Sequence, residues 1–197
     1  MISKINGVDN ITEVEDFNLL RGLNLGKKNK LNVVTVSDDK RIFAAGESGE
    51  IYYSKVPNQN LDSLTFDSFK LHSNITAIKP INSDVIVAGL KNGEIWYLSI
   101  SENIKTKIFP ELIREKTHEV KTIINNQNKI YSVSDKSIIE YNLSAKKLTE
   151  IQINTDSKLN QISFDNNNLL YFLTENGEIF EYDINKRSHT LIFEKDN

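Results

Sequence analysis

The sequence predicts an all-β fold, a β-propeller of about four four-stranded blades, and three observations lead to this prediction. A Gly-Glu-Ile core recurs along the 197 residues, with one degenerate copy. Its aligned isoleucines are Ile51, Ile95, Ile138 and Ile179, so the spacings are 44, 43 and 41 residues. A period of about 40–45 residues is typical of propeller blades. Each copy also contains short apolar segments between turn residues, without a sustained helical period.

The whole chain, residues 1–197, is predicted to form a single propeller domain or a segment of one. Residues 1–30 form a lead segment, and the blades cover about 31–71, 75–113, 120–153 and 159–193. The predicted strands are 31–36, 41–46, 51–56 and 64–71 in the first blade, 75–81, 85–90, 94–100 and 106–113 in the second, 120–124, 129–133, 137–143 and 147–153 in the third, and 159–164, 169–173, 178–184 and 189–193 in the fourth.

Polarity rises from the second strand of each blade to the fourth. The second strands contain apolar runs at 42–45, 85–88 and 169–173, as expected of strands covered on both faces. The third strands alternate, and a fourth strand such as 147–153 is more polar still. Inner strands are therefore expected between neighbouring sheets, and outer strands at the surface. At 109–116 the sequence also allows a short helical turn in place of the outer strand. Pro110 could occupy the first position of such a helix, where proline is favoured.

A turn glycine followed by glutamate precedes the third strand of three copies. Glycine supplies the positive φ of a tight hairpin at Gly49, Gly93 and Gly177. The glutamates at 50, 94 and 178 are interpreted as strand-start residues near a solvated edge rather than as catalytic groups. Other turns are rich in Asn and Asp, which tolerate left-handed backbone geometry. Four aromatic residues are interpreted as packing between blades rather than as a ligand cage: Tyr52, Tyr53, Trp96 and Tyr97.

Four blades lie at the low end of the range of about 4–8 that closes a propeller. Residues 17–23 read as a short lead strand that could complete the last blade. The chain is therefore a closed four-bladed ring, an open segment completed by a partner or a second copy, or part of a seven-bladed ring. An incomplete propeller is favoured, and its uncovered sheet faces would drive association.

The sequence assigns no catalytic, cofactor-binding or metal-binding residue. His72, His118 and His189 have no second histidine at metal-pair spacing. Residues 22–26 lack the lysine and serine or threonine of a phosphate loop. Asp and Asn cluster in turns without the spacing of a calcium loop. These features predict a protein that binds rather than catalyses.

The composition also limits the compartment and the classes of partner that are expected. The chain has no cysteine, and its net charge is −3. A reducing compartment, cytoplasm or nucleus, is expected, and direct binding of nucleic acid is disfavoured because the basic surplus that phosphate contacts require is missing. The basic clusters at 27–30 and 146–147 are interpreted as solvated loops. Apolar runs are too short for a membrane span.

The opening segment resembles a known family. Residues 15–20, 29–34 and 41–46 are similar to the start of the large cytoplasmic-face nucleoporin of the mRNA export platform, in which a lead strand precedes a first blade of the form Leu-x-Val followed by Phe-Ala-Ala-Gly. The later blades resemble WD40-like repeats without the Trp-Asp ending, since they end in Tyr-Leu-Ser-Ile (97–100), Tyr-Asn-Leu (141–143) and Tyr-Asp-Ile (182–184).

This resemblance implies a non-catalytic amino-terminal propeller at the cytoplasmic face of the nuclear pore. Its implied partners are other nuclear-pore subunits and a DEAD-box RNA helicase bound through a charged face. No partner-binding residue of the family maps onto a position of this chain, so that surface is left unassigned. Two alternatives stay open: a WD40-like scaffold subunit of another intracellular complex, and a propeller enzyme or small-ligand binder.

Overall fold

The computed structural model describes residues 30–54, 65–108, 118–165 and 169–194, together with two short strands near the amino terminus. Within these ranges the regular structure is β-strand, which confirms the predicted all-β class. Strands β1 (Ile2–Ser3) and β2 (Asn10–Ile11) form a separate antiparallel pair.

Sixteen further strands form four antiparallel four-stranded sheets, in agreement with the four predicted blades. The first sheet contains β3 (Leu31–Val36), β4 (Ile42–Gly46), β5 (Glu50–Ser54) and β6 (Phe66–Lys70). The second contains β7 (Ile75–Pro80), β8 (Val85–Leu90), β9 (Ile95–Ser99) and β10 (Ile104–Lys107). The third contains β11 (Thr122–Asn126), β12 (Lys129–Ser134), β13 (Ser137–Asn142) and β14 (Lys147–Gln152), and the fourth β15 (Leu159–Phe164), β16 (Leu170–Thr174), β17 (Ile179–Asp183) and β18 (Ser188–Phe193).

Consecutive strands are neighbours in every sheet, so each sheet is a simple meander. The first strands of successive sheets lie next to one another, β3 against β7, β7 against β11 and β11 against β15. No comparable contact joins β15 to β3 among the described strands. In the part of the chain that the structure describes, the four sheets therefore form an open arc.

Three apolar clusters fill the spaces between successive sheets, and we call them the first, second and third junctions. The first joins sheets one and two and includes Phe43, Ile51, Phe69, Ile78, Ile86 and Leu98. The second joins sheets two and three and includes Val87, Ile95, Val120, Ile123 and Ile130. The third joins sheets three and four and includes Tyr131, Val133, Ile138, Ile162, Leu170, Phe172 and Phe180.

Burial follows the polarity read from the sequence. Every residue of β8 is buried, whereas most of β18 is exposed. The predicted packing role of the aromatic residues is confirmed at three positions, since Tyr53 and Trp96 pack on the first junction and Tyr97 on the second. Tyr52 is also buried, on the opposite face of the first sheet.

The three turn glycines have the predicted positive φ, 75° at Gly49, 85° at Gly93 and 88° at Gly177. At Gly49 a side chain would also strike backbone, because a Cβ there would lie 2.6 Å from the Leu71 carbonyl oxygen. This position therefore requires glycine for conformation and for space.

The other left-handed residues differ from the prediction. Apart from glycine, the described residues with positive φ are Lys40, Asn103, Gln127, Lys146 and Arg187, of which one is asparagine. Asn and Asp instead contribute to the turns mainly by accepting hydrogen bonds with their side-chain oxygens. Asn82 Oδ1 accepts hydrogen bonds from the amides of Asp84 and Val85, and Asp183 Oδ1 accepts from Asn185 and Lys186. They satisfy turn amides while other residues adopt the left-handed conformation.

Most strand bounds match the prediction within two residues, and the fourth strand of the second sheet is the exception. It was expected at 106–113 but runs from Ile104 to Lys107. A tight turn with Asn103 at a φ of 52° returns the chain early, so that Ile104 pairs with Ser99. The predicted lead strand at 17–23 and the alternative helical turn at 109–116 lie outside the described residues.

Candidate functional site

The pairing registers give equivalent positions in the four sheets. Val34 pairs with Ala44 on the second strand of its sheet, and its counterparts pair in the same way: Ile78 with Ala88, Ile123 with Ser132, and Ile162 with Phe172. Each counterpart belongs to the junction with the preceding sheet. We call this side of a sheet its leading face and the opposite side its trailing face.

The leading face of the first sheet has no described sheet in front of it. Val34 is 55% exposed, whereas Ile78, Ile123 and Ile162 are 7%, 5% and 6% exposed. Val36 is exposed to the same extent as Val34, and Ile42, which pairs with it, is half-buried. We call Val34, Val36 and Ile42 the free leading face.

The trailing face of the fourth sheet is the other end of the arc. Its Tyr171 pairs with Glu181 and its Leu173 with Ile179, which repeats the pairs Tyr131 with Glu140 and Val133 with Ile138 of the third sheet. The tyrosine hydroxyl donates to the glutamate in both sheets, over 2.8 Å from Tyr131 and 3.0 Å from Tyr171. The fourth sheet therefore repeats the face that builds the third junction.

Only the third-sheet copy of this face is covered. Tyr131, Val133 and Ile138 are buried beneath the fourth sheet, whereas Tyr171, Leu173 and Ile179 are only partly buried. Phe193 pairs with Ile179 on the outer strand and is 52% exposed. We call Tyr171, Leu173, Ile179 and Phe193 the free trailing face.

Ion pairs support the rim of the third junction. Lys158 Nζ lies 3.0 Å from Asp135 Oδ2, and Lys121 forms an ion pair with Glu175, so both pairs join the third sheet to the fourth. The hydrogen bond and the charge of Asp135 raise the pKa of Lys158. Each pair has one half-exposed partner, and such pairs near the surface contribute little energy, so their main effect is to align the two sheets.

A small polar groove lies where the first strands of three sheets end. It has a volume of about 80 Å³ and is lined by Val36, Ser37, Asp38, Lys79, Pro80, Ile81, Asn82 and Asn125. Pockets for small ligands usually hold about 300–1,000 Å³. This groove is therefore much smaller than a typical substrate site.

The three histidines lie in separate parts of the structure, and His72 contacts one of the turn glutamates. His72 Nε2 lies 2.9 Å from Glu94 Oε2, which also accepts from Trp96 Nε1 over 3.0 Å. His118 Nδ1 lies 2.9 Å from Asp135 Oδ2 on the third sheet. His189 packs on the rings of Phe172 and Phe180.

The two remaining turn glutamates have local partners. Glu50 accepts from the Tyr52 hydroxyl over 2.6 Å, and Glu178 accepts from the Thr174 hydroxyl over 3.0 Å. Among the described residues, no three His, Asp or Glu side chains are grouped to hold a metal ion. The same ranges include no helix with the length and apolarity of a membrane span.

Comparison with known proteins identifies the fold. No family model matches the chain, and no curated protein matches it. Among solved structures, it is similar to a virginiamycin B lyase from Staphylococcus aureus, with a TM-score of 0.71 and 16% identity over 88% of this chain and 58% of the lyase.

A second similar structure is the extracellular domain of a protein described as a one-component system from B. thetaiotaomicron. Here the TM-score is 0.67 and the identity 16%, over 84% of this chain and 22% of that one. A third is the computationally designed Ika4 protein, with a TM-score of 0.63 and 14% identity over 81% of this chain and 94% of the design. The chain thus spans less than two thirds of the two natural proteins. At these identities the similarity shows the fold alone, a multi-bladed all-β propeller-like fold.

Proposed function

We propose that the chain is a non-enzymatic protein-interaction platform that engages its partners through the two end faces of the arc. One observation carries the proposal. Both end faces retain apolar residues at positions that are buried in the internal junctions, and neither is covered by a described sheet.

Energetics support this proposal. Burying an aliphatic or aromatic side chain fully contributes about 1.5–3 kcal/mol, and contiguous exposed apolar surface marks interaction sites. Leu173, Ile179 and Phe193 supply such surface at one end, and Val34 and Val36 at the other.

The finer candidate is a propeller at the cytoplasmic face of the nuclear pore that docks a DEAD-box RNA helicase in mRNA export. It is supported by the family resemblance of residues 15–20, 29–34 and 41–46. A scaffold subunit of another intracellular complex is the alternative. The partner recovered from cells distinguishes the two.

The test is photo-cross-linking in source cells with a reactive residue at position 173 or 34. We expect a protein partner at both positions and none at position 186, because Lys186 is exposed in the turn between β17 and β18 and is part of neither face. Pore subunits or an RNA helicase among the products would support the finer candidate, and other proteins would support the scaffold alternative. Equal labelling at all three positions would contradict the role of the end faces.

A further inference from the structure

We propose that the free trailing face of one copy binds the free leading face of a second copy, so that two copies close a ring of eight blades. This inference rests on the proposed function and names the partner of the end faces. The proposed partner that covers the end faces is a second copy of this chain.

The chain itself shows what a trailing face binds. In the third junction, Tyr131, Val133 and Ile138 pack with Ile162, Leu170 and Phe172 of the next sheet. The free trailing face presents Tyr171, Leu173 and Ile179 at the positions of the first three. The complementary surface in every junction is a leading face, so the fourth sheet is expected to accept one as well.

The free leading face is the corresponding surface of another copy. Val34 occupies the position of Ile162, and Ile42 that of Leu170. Ala44 and Tyr52, farther along the same face, are already buried. The uncovered part is thus formed by Val34, Val36 and Ile42, and the contact is expected to join these residues to Tyr171 and Leu173 of the second copy. It would continue the internal junctions across the boundary between the chains.

The number of sheets determines how such an assembly closes. The described sheets of each copy leave one free face of each kind, so a head-to-tail contact leaves one of each kind still free. Two copies bring together eight sheets, which lies within the range of about 4–8 blades that closes a propeller. Closure around a two-fold axis covers all four end faces, whereas a head-to-tail contact that fails to close produces a filament.

The test is the mass of the purified chain in solution, by light scattering after size-exclusion chromatography. We expect twice the chain mass of 22.5 kDa, which is 45 kDa. Leu173→Asp and Val34→Asp should each give 22.5 kDa, because a buried, unpaired carboxylate at either face disrupts both junctions of the ring. Ile104→Asp is the matched control: Ile104 is 46% exposed on the outer strand of the second sheet, and this variant should remain at 45 kDa.

Cross-linking tests the head-to-tail geometry independently. The chain has no cysteine, so a variant carrying both Val34→Cys and Leu173→Cys offers thiols at the two free faces alone. A short bis-maleimide should link it into covalent dimers, and the Val34→Cys single variant should form none. Circular dichroism verifies that each variant folds.

Three results would overturn the inference: a wild-type monomer at every concentration, a mass that grows without limit, or dimers unaffected by Leu173→Asp and Val34→Asp. The proposed function has a separate outcome. A monomer whose cellular partners still cross-link at positions 34 and 173 would refute the second copy while supporting the interaction platform. A monomer without such partners would refute both.

Discussion

At the scale of single residues, Gly89 shows how closely the sheets approach each other. It lies in β8, which is buried along its whole length, and its counterparts in the other sheets are Ala45, Val133 and Leu173. A Cβ at Gly89 would lie 2.4 Å from Val120 Cγ1 and 2.7 Å from Val120 Cβ. The larger side chains at the counterpart positions indicate that Val120 is what makes glycine necessary in the second sheet.

We predict that Gly89→Ala destabilises the protein. Inserting a methyl group into a packed core typically costs about 1–3 kcal/mol, and here the contact lies in the second junction. Urea denaturation followed by circular dichroism measures the change. Adding Val120→Ala removes the atom at the shortest distance and should recover part of the loss. Equal stability of Gly89→Ala and wild type would show that the second and third sheets can separate without cost.

At the scale of elements, the two sides of β16 have different environments. Phe172 is 1% exposed, and its ring stacks on Phe180 with centroids 4.9 Å apart. Tyr171, one residue earlier, points to the free trailing face and is only partly buried. Successive strand residues lie on opposite faces of a sheet, so this single strand compares a covered face with an uncovered one.

We predict that Phe172→Ala costs about 3–5 kcal/mol, as expected for a large side chain removed from a core, and that Tyr171→Ala costs less than about 1 kcal/mol. Both are measured in a chain carrying Leu173→Asp, so that association does not contribute. Differential scanning calorimetry gives the stabilities. A similar loss from the two substitutions would mean that the free trailing face is covered within the chain.

The strands show how much the sequence could predict. The bounds of β3, β8 and β15 agree with the prediction at both ends, because clear turn residues flank these strands. The prediction failed at β10, where a tight turn at Asn103 replaces the longer loop that was expected before position 106. Local patterns therefore identified the strands but did not determine the length of the connection between β9 and β10.

The end faces could be predicted only in part. The count of four blades indicated uncovered faces, but the repeats give Tyr131 and Tyr171 the same sequence environment. Tyr131 is 2% exposed under the fourth sheet and Tyr171 is not buried. The difference arises from which sheet has a neighbour, a property of the assembled arc that no local pattern contains.

At the scale of the whole molecule, every junction contains a tyrosine whose pKa lies above its ordinary value. Burial is the main cause for Tyr53 in the first junction, Tyr97 in the second and Tyr131 in the third. Nearby carboxylates raise the pKa further in each case, and at Tyr131 the hydroxyl also donates to Glu140. The arc thus has the same titrating group at all three places that hold it together.

We predict that the protein loses stability in alkaline solution through these tyrosines. In the unfolded chain they ionise near the ordinary value of 10.0, whereas in the folded chain the neutral form persists to higher pH. Their contribution is therefore fully present below pH 10 and is lost as the pH rises from there through the folded values. Urea midpoints measured from pH 8 upward should be flat at first and fall above pH 10.

Tyr131→Phe should make this fall shallower, because the third junction then has one fewer tyrosine whose pKa is higher in the folded chain than in the unfolded chain. Below pH 10 the variant should be slightly less stable than wild type, since it loses the hydrogen bond to Glu140, a contribution of about 0.5–1.5 kcal/mol. Tyr171→Phe is the matched control: the same hydrogen bond to Glu181 raises the pKa of Tyr171, but on an uncovered face where burial is not the main cause, so this variant should change the alkaline slope less. If both variants changed the alkaline slope equally, burial in the junction would not be the cause, and the alkaline loss would belong to the tyrosine–glutamate pair wherever it lies.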